Sequence, residues 1–319
     1  MNQLRFAALV LALLTVLCSC SKGDAVSSGG EYMFVTGKSG GTYNSLGTSM
    51  AAVWDKYSGG KTTVISTTGS FDNIDILTKG DADIGLVQSD ILYYALNGKE
   101  MYENSKKSGL SVIANLYTEA VQLVVNAESE IQTINGLVGK TVAVGKYGTA
   151  TEAAARQILE SSGITYDMIT VKYQTFSEAS AGLAAGTVDA IFAVSAMPSS
   201  NIHEYAETRA IRFIPITSST KLKRACPFFS DGIILSETYG TENSVSTVCI
   251  DVLLICRSDL SAGSVSGITS ALFGNLDELA SAHVLGSLIN SDTASSTRIG
   301  TMHPAAAKYY SDLLNSDDE

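Results

Sequence analysis

Histidines, basic side chains and long apolar runs are scarce in this 319-residue sequence. It holds three histidines, and 21 lysines and arginines stand against 32 acidic residues. His203, His283 and His303 show no HExxH spacing, and Cys249 and Cys256 lie too far apart for a CxxC pair. No metal site and no cofactor are therefore expected. The acidic balance disfavours nucleic acid, because a polyphosphate partner would be repelled with no broad basic face to hold it. GKS at 37–39 and GKT at 139–141 lack the earlier glycine of a phosphate loop, since Tyr32 and Ile134 occupy those places. Ser218 to Lys221 fits Ser-x-x-Lys only as a chance match in a serine-rich stretch.

The one long apolar run is at the start. Arg5 precedes an apolar segment from Phe6 to Leu17 that is too short to cross a bilayer, so residues 1–19 read as an export signal. Leu17, Ser19 and Cys20 stand as in a bacterial lipobox, which makes Cys20 the lipidation site and places the mature protein outside the cytoplasm on a lipid anchor. Residues 20–30 are then a small polar tether. Export permits a disulfide among the remaining cysteines, Cys226 to Cys249 being the pair considered; the alternative is that Cys249 and Cys256 are small buried hydrophobes in VSTVCIDVLLIC.

Leu-x-x-Gly-x-x-Asp occurs twice, at Leu77, Gly80 and Asp83 and again at Leu183, Gly186 and Asp189, each time followed by an apolar stretch. Each copy reads as a short amphipathic helix, a left-handed glycine cap and a buried strand. In the second copy Ser177 suits the N-cap, with Phe176 before it as a staple. The copies are 106 residues apart, the size of a lobe, so two similar α/β lobes with mainly parallel sheets are expected. SVIANLY and AVQLVVN read as extended segments that could cross between lobes, with a hinge near Glu119 to Gln122. The stretch TSSTKLKRACPFFSDG reads as irregular, and SVSGITSALFGNLDELASA and HPAAAKYYSDLLN as two closing helices.

Ligands of open α/β sheets sit beyond the carboxyl ends of the strands, where helix N-termini present free N–H groups. Gly41, Thr42, Tyr43 and Asn44 precede one such helix, and Thr149 and Thr151 begin another. With Ser70, and with Gln88, Ser89 and Ser195 at the ends of the two repeated units, they form the candidate site, and hydroxyls beside free amides suit an anion. Asp81 and Asp83 read as solvated charge. The competing enzymatic reading is a hydrolase with Ser39 in the Gly-x-Ser-x-Gly of GKSGG, which would need a histidine and an acid that no motif supplies. No catalytic residue is assigned.

Taken in order, TGKSGGTYNSLG, TTGSFDNIDILTKGDADIGLVQSDILYYALNG, VIANLYTEAVQLVV, INGLVGKTVAVGKYGTATEAAARQIL and MHPAAAKYY resemble the TAXI-type solute receptors of TRAP (tripartite ATP-independent periplasmic) transporters. The resemblance covers nearly the whole mature chain. It implies a two-lobed type II periplasmic-binding-protein fold that closes on a small organic acid or amino acid, such as glutamate, and delivers it to a TRAP permease. Lobe I would comprise residues 31–121 and 233–319, and lobe II residues 122–232. The sequence departs from the family where Gly148-Thr149-Ala150-Thr151 replaces Gly-Ser-Gly-Thr, where Glu152 stands in place of a frequent basic residue, and where Thr118 replaces the proline of Leu-Tyr-Pro-Glu. A sensor module serving a signalling partner would use the same cleft.

Overall fold

The computed structural model describes residues 30–316, so the signal segment, Cys20 and nearly all of the tether lie outside the described residues. Among the described residues the strands are β1 (Glu31–Val35), β2 (Lys61–Ile65), β3 (Ile84–Gln88), β4 (Leu110–Asn126), β5 (Thr141–Ala143), β6 (Thr170–Lys172), β7 (Ala190–Ser195), β8 (Ile211–Phe213), β9 (Ser230–Ile234) and β10 (Val245–Arg257). The first six helices are α1 (Thr42–Ser58), α2 (Ser70–Lys79), α3 (Ser89–Asn97), α4 (Ala150–Ser161), α5 (Phe176–Ala185) and α6 (Ser200–Thr208). The remaining ones are α7 (Thr220–Ala225), α8 (Ser236–Tyr239), α9 (Ala262–Phe273), α10 (Leu276–Ala282), α11 (Ser291–Ala294) and α12 (Pro304–Ser316).

The sheet order β2-β1-β3-β10-β4-β7-β5-β6 contains the same unit twice. β1 pairs in parallel with β2 and β3, and β5 pairs in parallel with β6 and β7. Each triplet is flanked by a long antiparallel strand, β10 against β3 and β4 against β7. This is the two-lobed type II periplasmic-binding-protein architecture. SVIANLY and AVQLVVN are parts of one unbroken strand, β4, which pairs with β10 up to Ala120 and with β7 from Ala120 onward.

The repeated motif has a local cause in both halves. Ile74 and Leu77 on α2, and Ala179 and Leu183 on α5, face the core. Gly80 and Gly186 end the two helices at φ of 83° and 71°, left-handed values that carry no Cβ penalty in glycine. The aspartates then make matching bonds. Asp83 Oδ2 accepts the Met33 N–H at 2.9 Å, and Asp189 Oδ2 accepts the Thr141 N–H at 2.7 Å. Each also donates its own N–H to the carbonyl of the same residue. Asp83, which the sequence suggested was merely solvated, therefore locks β3 to the neighbouring strand and also lies 3.4 Å from Arg257.

Several local expectations need correction. The N-cap of α5 is Thr175, which forms a capping box with Glu178, so Ser177 lies inside the helix and Phe176 is its first residue. The stretch read as irregular contains α7 and β9. The first closing helix is broken at Gly274 and Asn275 into α9 and α10. The bridge considered between Cys226 and Cys249 is not formed, and both are free, buried thiols. Cys226 caps α7 and donates to Gln157 Oε1 of α4, whereas Cys249 faces Gly232 across the β9–β10 ladder, so the two sulfurs serve different packing contacts. Burial pushes the Cys226 thiol up to about 12 and that of Cys249 up to about 11, which keeps both protonated and unreactive.

Candidate functional site

Where the carboxyl ends of the first strand triplet meet the start of α4, a cleft of about 460 Å³ opens between the halves. Tyr43 enters it from the first turn of α1, Ser70 from the start of α2, Gln88 from the end of β3, and Thr149 and Thr151 from the opposite wall. These are five of the ten positions singled out in the sequence. Ser70 Oγ accepts the Gln88 N–H at 3.0 Å and so fixes the end of β3. Thr149 caps α4, accepting the Glu152 N–H and donating to the Lys146 carbonyl. The Thr151 hydroxyl makes no hydrogen bond among the described residues, which leaves it available to the cleft.

The other five positions are not among the residues lining this cleft. Gly41 is the N-cap of α1, and Thr42 is its exposed first residue. Asn44 donates to Thr36 Oγ1 at 3.2 Å and to Ser66 Oγ at 3.1 Å, tying α1 to the loop after β2. Ser89 is buried and accepts the Asp251 N–H. Ser195 accepts from Gln122 Nε2 at 2.9 Å. The side chains of Asn44, Ser89 and Ser195 are thus engaged within the chain near the strand ends. Glu152 is likewise turned inward, accepting from Tyr166 Oη at 2.8 Å.

Glu119 is among the cleft-lining residues that the site reading did not include, having placed it only at a hinge. It lies on β4 at the cleft floor, 7 % exposed, and accepts a hydrogen bond from Gln88 Nε2. Burial, reinforced by the charge of Asp90, raises its carboxyl to about 8 against the lowering effect of the Gln88 hydrogen bond. Asp90, fully buried on the first turn of α3, is raised by burial to about 7, although the Ile91 N–H bonds its Oδ1. The sequence carried a signal for this: a lone glutamate inside LYTEAVQLVV is costly to bury in a central strand unless it serves a purpose. Phe71, Ile91 and Met101 form an apolar flank, while Lys38 and the exposed Tyr147 stand at the rim.

The geometry offers nothing to a Ser39 hydrolase. Among the described residues no histidine bonds Ser39. His283 approaches Ser45 at 3.0 Å, and its Nδ1 accepts the Leu285 N–H, so Nε2 carries the proton and donates to the serine oxygen rather than activating it. His303 accepts the Ala305 N–H just before the start of α12. Among the described residues no cluster of His, Cys, Asp and Glu could hold a metal ion.

Comparison with known proteins supports the same architecture. A TctC solute binding protein from Polaromonas superposes with a TM-score of 0.52 at 15 % identity, over 92 % of this chain and 100 % of that one. XAC2383 from Xanthomonas citri bound to ATP gives 0.52 at 9 % identity, over 89 % and 96 %. At such identities the likeness is one of fold. A family model described as NMT1-like matches residues 34–312, nearly all of the described chain. The chain therefore belongs to the NMT1-like family.

Proposed function

We propose that this protein is the extracytoplasmic solute-binding subunit of a TRAP transporter of the TAXI type. It captures a small carboxylate or amino acid between its halves and delivers it to the membrane permease without chemical conversion. The observation that carries this reading is the cleft itself, a polar cavity between two equivalent α/β units joined by strands that run through both. In the proposed division, residues 31–121 and 233–319 form lobe I and residues 122–232 form lobe II, with Ala120 on β4 as the point where the strand changes partner. The solute's carboxylate docks at the start of α4, where Thr151 and the free N–H groups of the first turn face the cleft opposite Lys38. The protein is held at the membrane through Cys20.

Native mass spectrometry of the protein purified from its host, followed by calorimetry with the retained molecule, tests the reading. A bound small molecule whose affinity drops in Thr151→Val supports it. Turnover of that molecule by the purified protein would refute it. A large permease encoded beside the gene distinguishes transport from a sensing role, for which an adjacent sensor kinase would be the mark.

A further inference from the structure

The floor and one flank of the cleft make demands that a generic acid-binding site would not. Glu119 receives one hydrogen bond from the described residues, that of Gln88. Beside it, three polar atoms are buried with no hydrogen-bond partner among the described residues: Asp90 Oδ2, on a residue with no exposure, the hydroxyl of Tyr117, which is 5 % exposed, and the hydroxyl of Tyr43, which feels the charges of Glu119 and Asp90. Tyr117 projects from the same face of β4 as Glu119, two residues away in regular pairing with β10, and it feels the Glu119 charge. Among the described residues no lysine or arginine pairs with Glu119 or Asp90, and Lys38 stands at the rim. Buried acids without counter-charge are expensive, and a protein recovers that cost when a ligand brings the missing positive charge. A second carboxylate at this place would hold both acids in their protonated form, whereas an ammonium favours the ionised form of Glu119 and pairs with it.

Resting on the receptor reading above, we propose that Glu119, backed by Asp90 and Tyr117, is a subsite for a protonated amine, and that Phe71, Ile91 and Met101 beside it take an apolar body. The preferred solute is an apolar amine or apolar amino acid, not a dicarboxylate. The ammonium donates to Glu119, the apolar carbons cover Phe71, and any carboxylate reaches the start of α4.

The test is calorimetry of the mature protein with leucine, phenylalanine, phenethylamine and glutarate as probes, on the wild type and on Glu119→Gln and Phe71→Ser. The expected result is binding of at least one of the three amines, no binding of glutarate, and a loss of tenfold or more in Glu119→Gln. Phe71→Ser should weaken the amines several-fold. Circular dichroism and thermal melting confirm that the variants are folded. Glutarate binding more tightly than every amine, or amine affinity unchanged in Glu119→Gln, would overturn this subsite while leaving the receptor reading standing. Binding of none of the probes overturns the subsite, and if no molecule is retained from the host the receptor reading falls with it.

Discussion

Gln88, the last residue of β3, reaches over β10 to donate its side-chain amide to Glu119 of β4. The bond joins two strands that are not neighbours in the sheet, because Val252 of β10 lies between them, paired with Gln88 on one side and Tyr117 on the other. It fixes the cleft floor at the place where β4 passes from one half of the molecule to the other.

Glu119 should make stability depend on pH. Its folded-state carboxyl titrates near 8, well above the value near 4.3 of an unfolded chain, so the folded state holds a proton that the unfolded state releases. Stability from this source is fully present below about pH 4 and is lost as pH rises through about 8. Asp90, titrating near 7, adds to the same slope. Glu119→Gln should therefore gain roughly 1–3 kcal/mol over the wild type at pH 8 and little at pH 4. Urea denaturation at the two pH values checks this, and parallel curves for the two proteins would rule it out.

Asp83→Ala and Asp189→Ala should each cost about 1–3 kcal/mol, because each removes a charged acceptor from a backbone N–H of the neighbouring strand. The equivalence of the two halves predicts similar losses. Chemical denaturation measures both, and a loss at one site alone would show that the second aspartate is not structurally equivalent.

Thr175→Ala removes the capping box of α5 and should destabilise the protein by about 1 kcal/mol, whereas Ser177→Ala should be nearly neutral. The reverse order in thermal melts would return the N-cap to Ser177.

Thr151→Val exchanges an unused cleft hydroxyl for a methyl group of similar size. Solute affinity should fall about three- to tenfold, the worth of one hydrogen bond, with the melting temperature of the empty protein unchanged. Titration calorimetry decides, and equal affinities would place the ligand elsewhere.

A reducing agent should leave the melting temperature unchanged, since Cys226 and Cys249 are separate buried thiols. Non-reducing peptide mapping that found them linked would contradict this packing.

The local rules were legible because they depend on few residues. Gly80 and Gly186 end their helices as glycine must, the alternating α/β order follows from apolar periodicity, and the cleft-facing Tyr43, Ser70, Gln88, Thr149 and Thr151 lie where strand ends and helix starts place them. The cap of α5 was misplaced because Thr175 and Ser177 are both good caps, and only the reciprocal bonds of Glu178 distinguish them. Asn44, Ser89 and Ser195 were as plausible for a ligand as Thr151. What separates them is whether another part of the chain takes up their polar atoms, and those partners come from Thr36 and Ser66, from Asp251 and from Gln122.

By itself the sequence determined the two equivalent units, since an amphipathic helix, a left-handed cap and a buried strand are local matters of side-chain period and backbone sterics. The tertiary structure alone decided what fills the floor between them. Glu119 and Tyr117 lie on β4, whose facing is set by its pairing with β10, and Asp90 lies on α3 at the end of β3, so the three groups are brought together only by the tertiary fold. Desolvation gives those groups their character, and it depends on everything packed around them rather than on their neighbours in the chain.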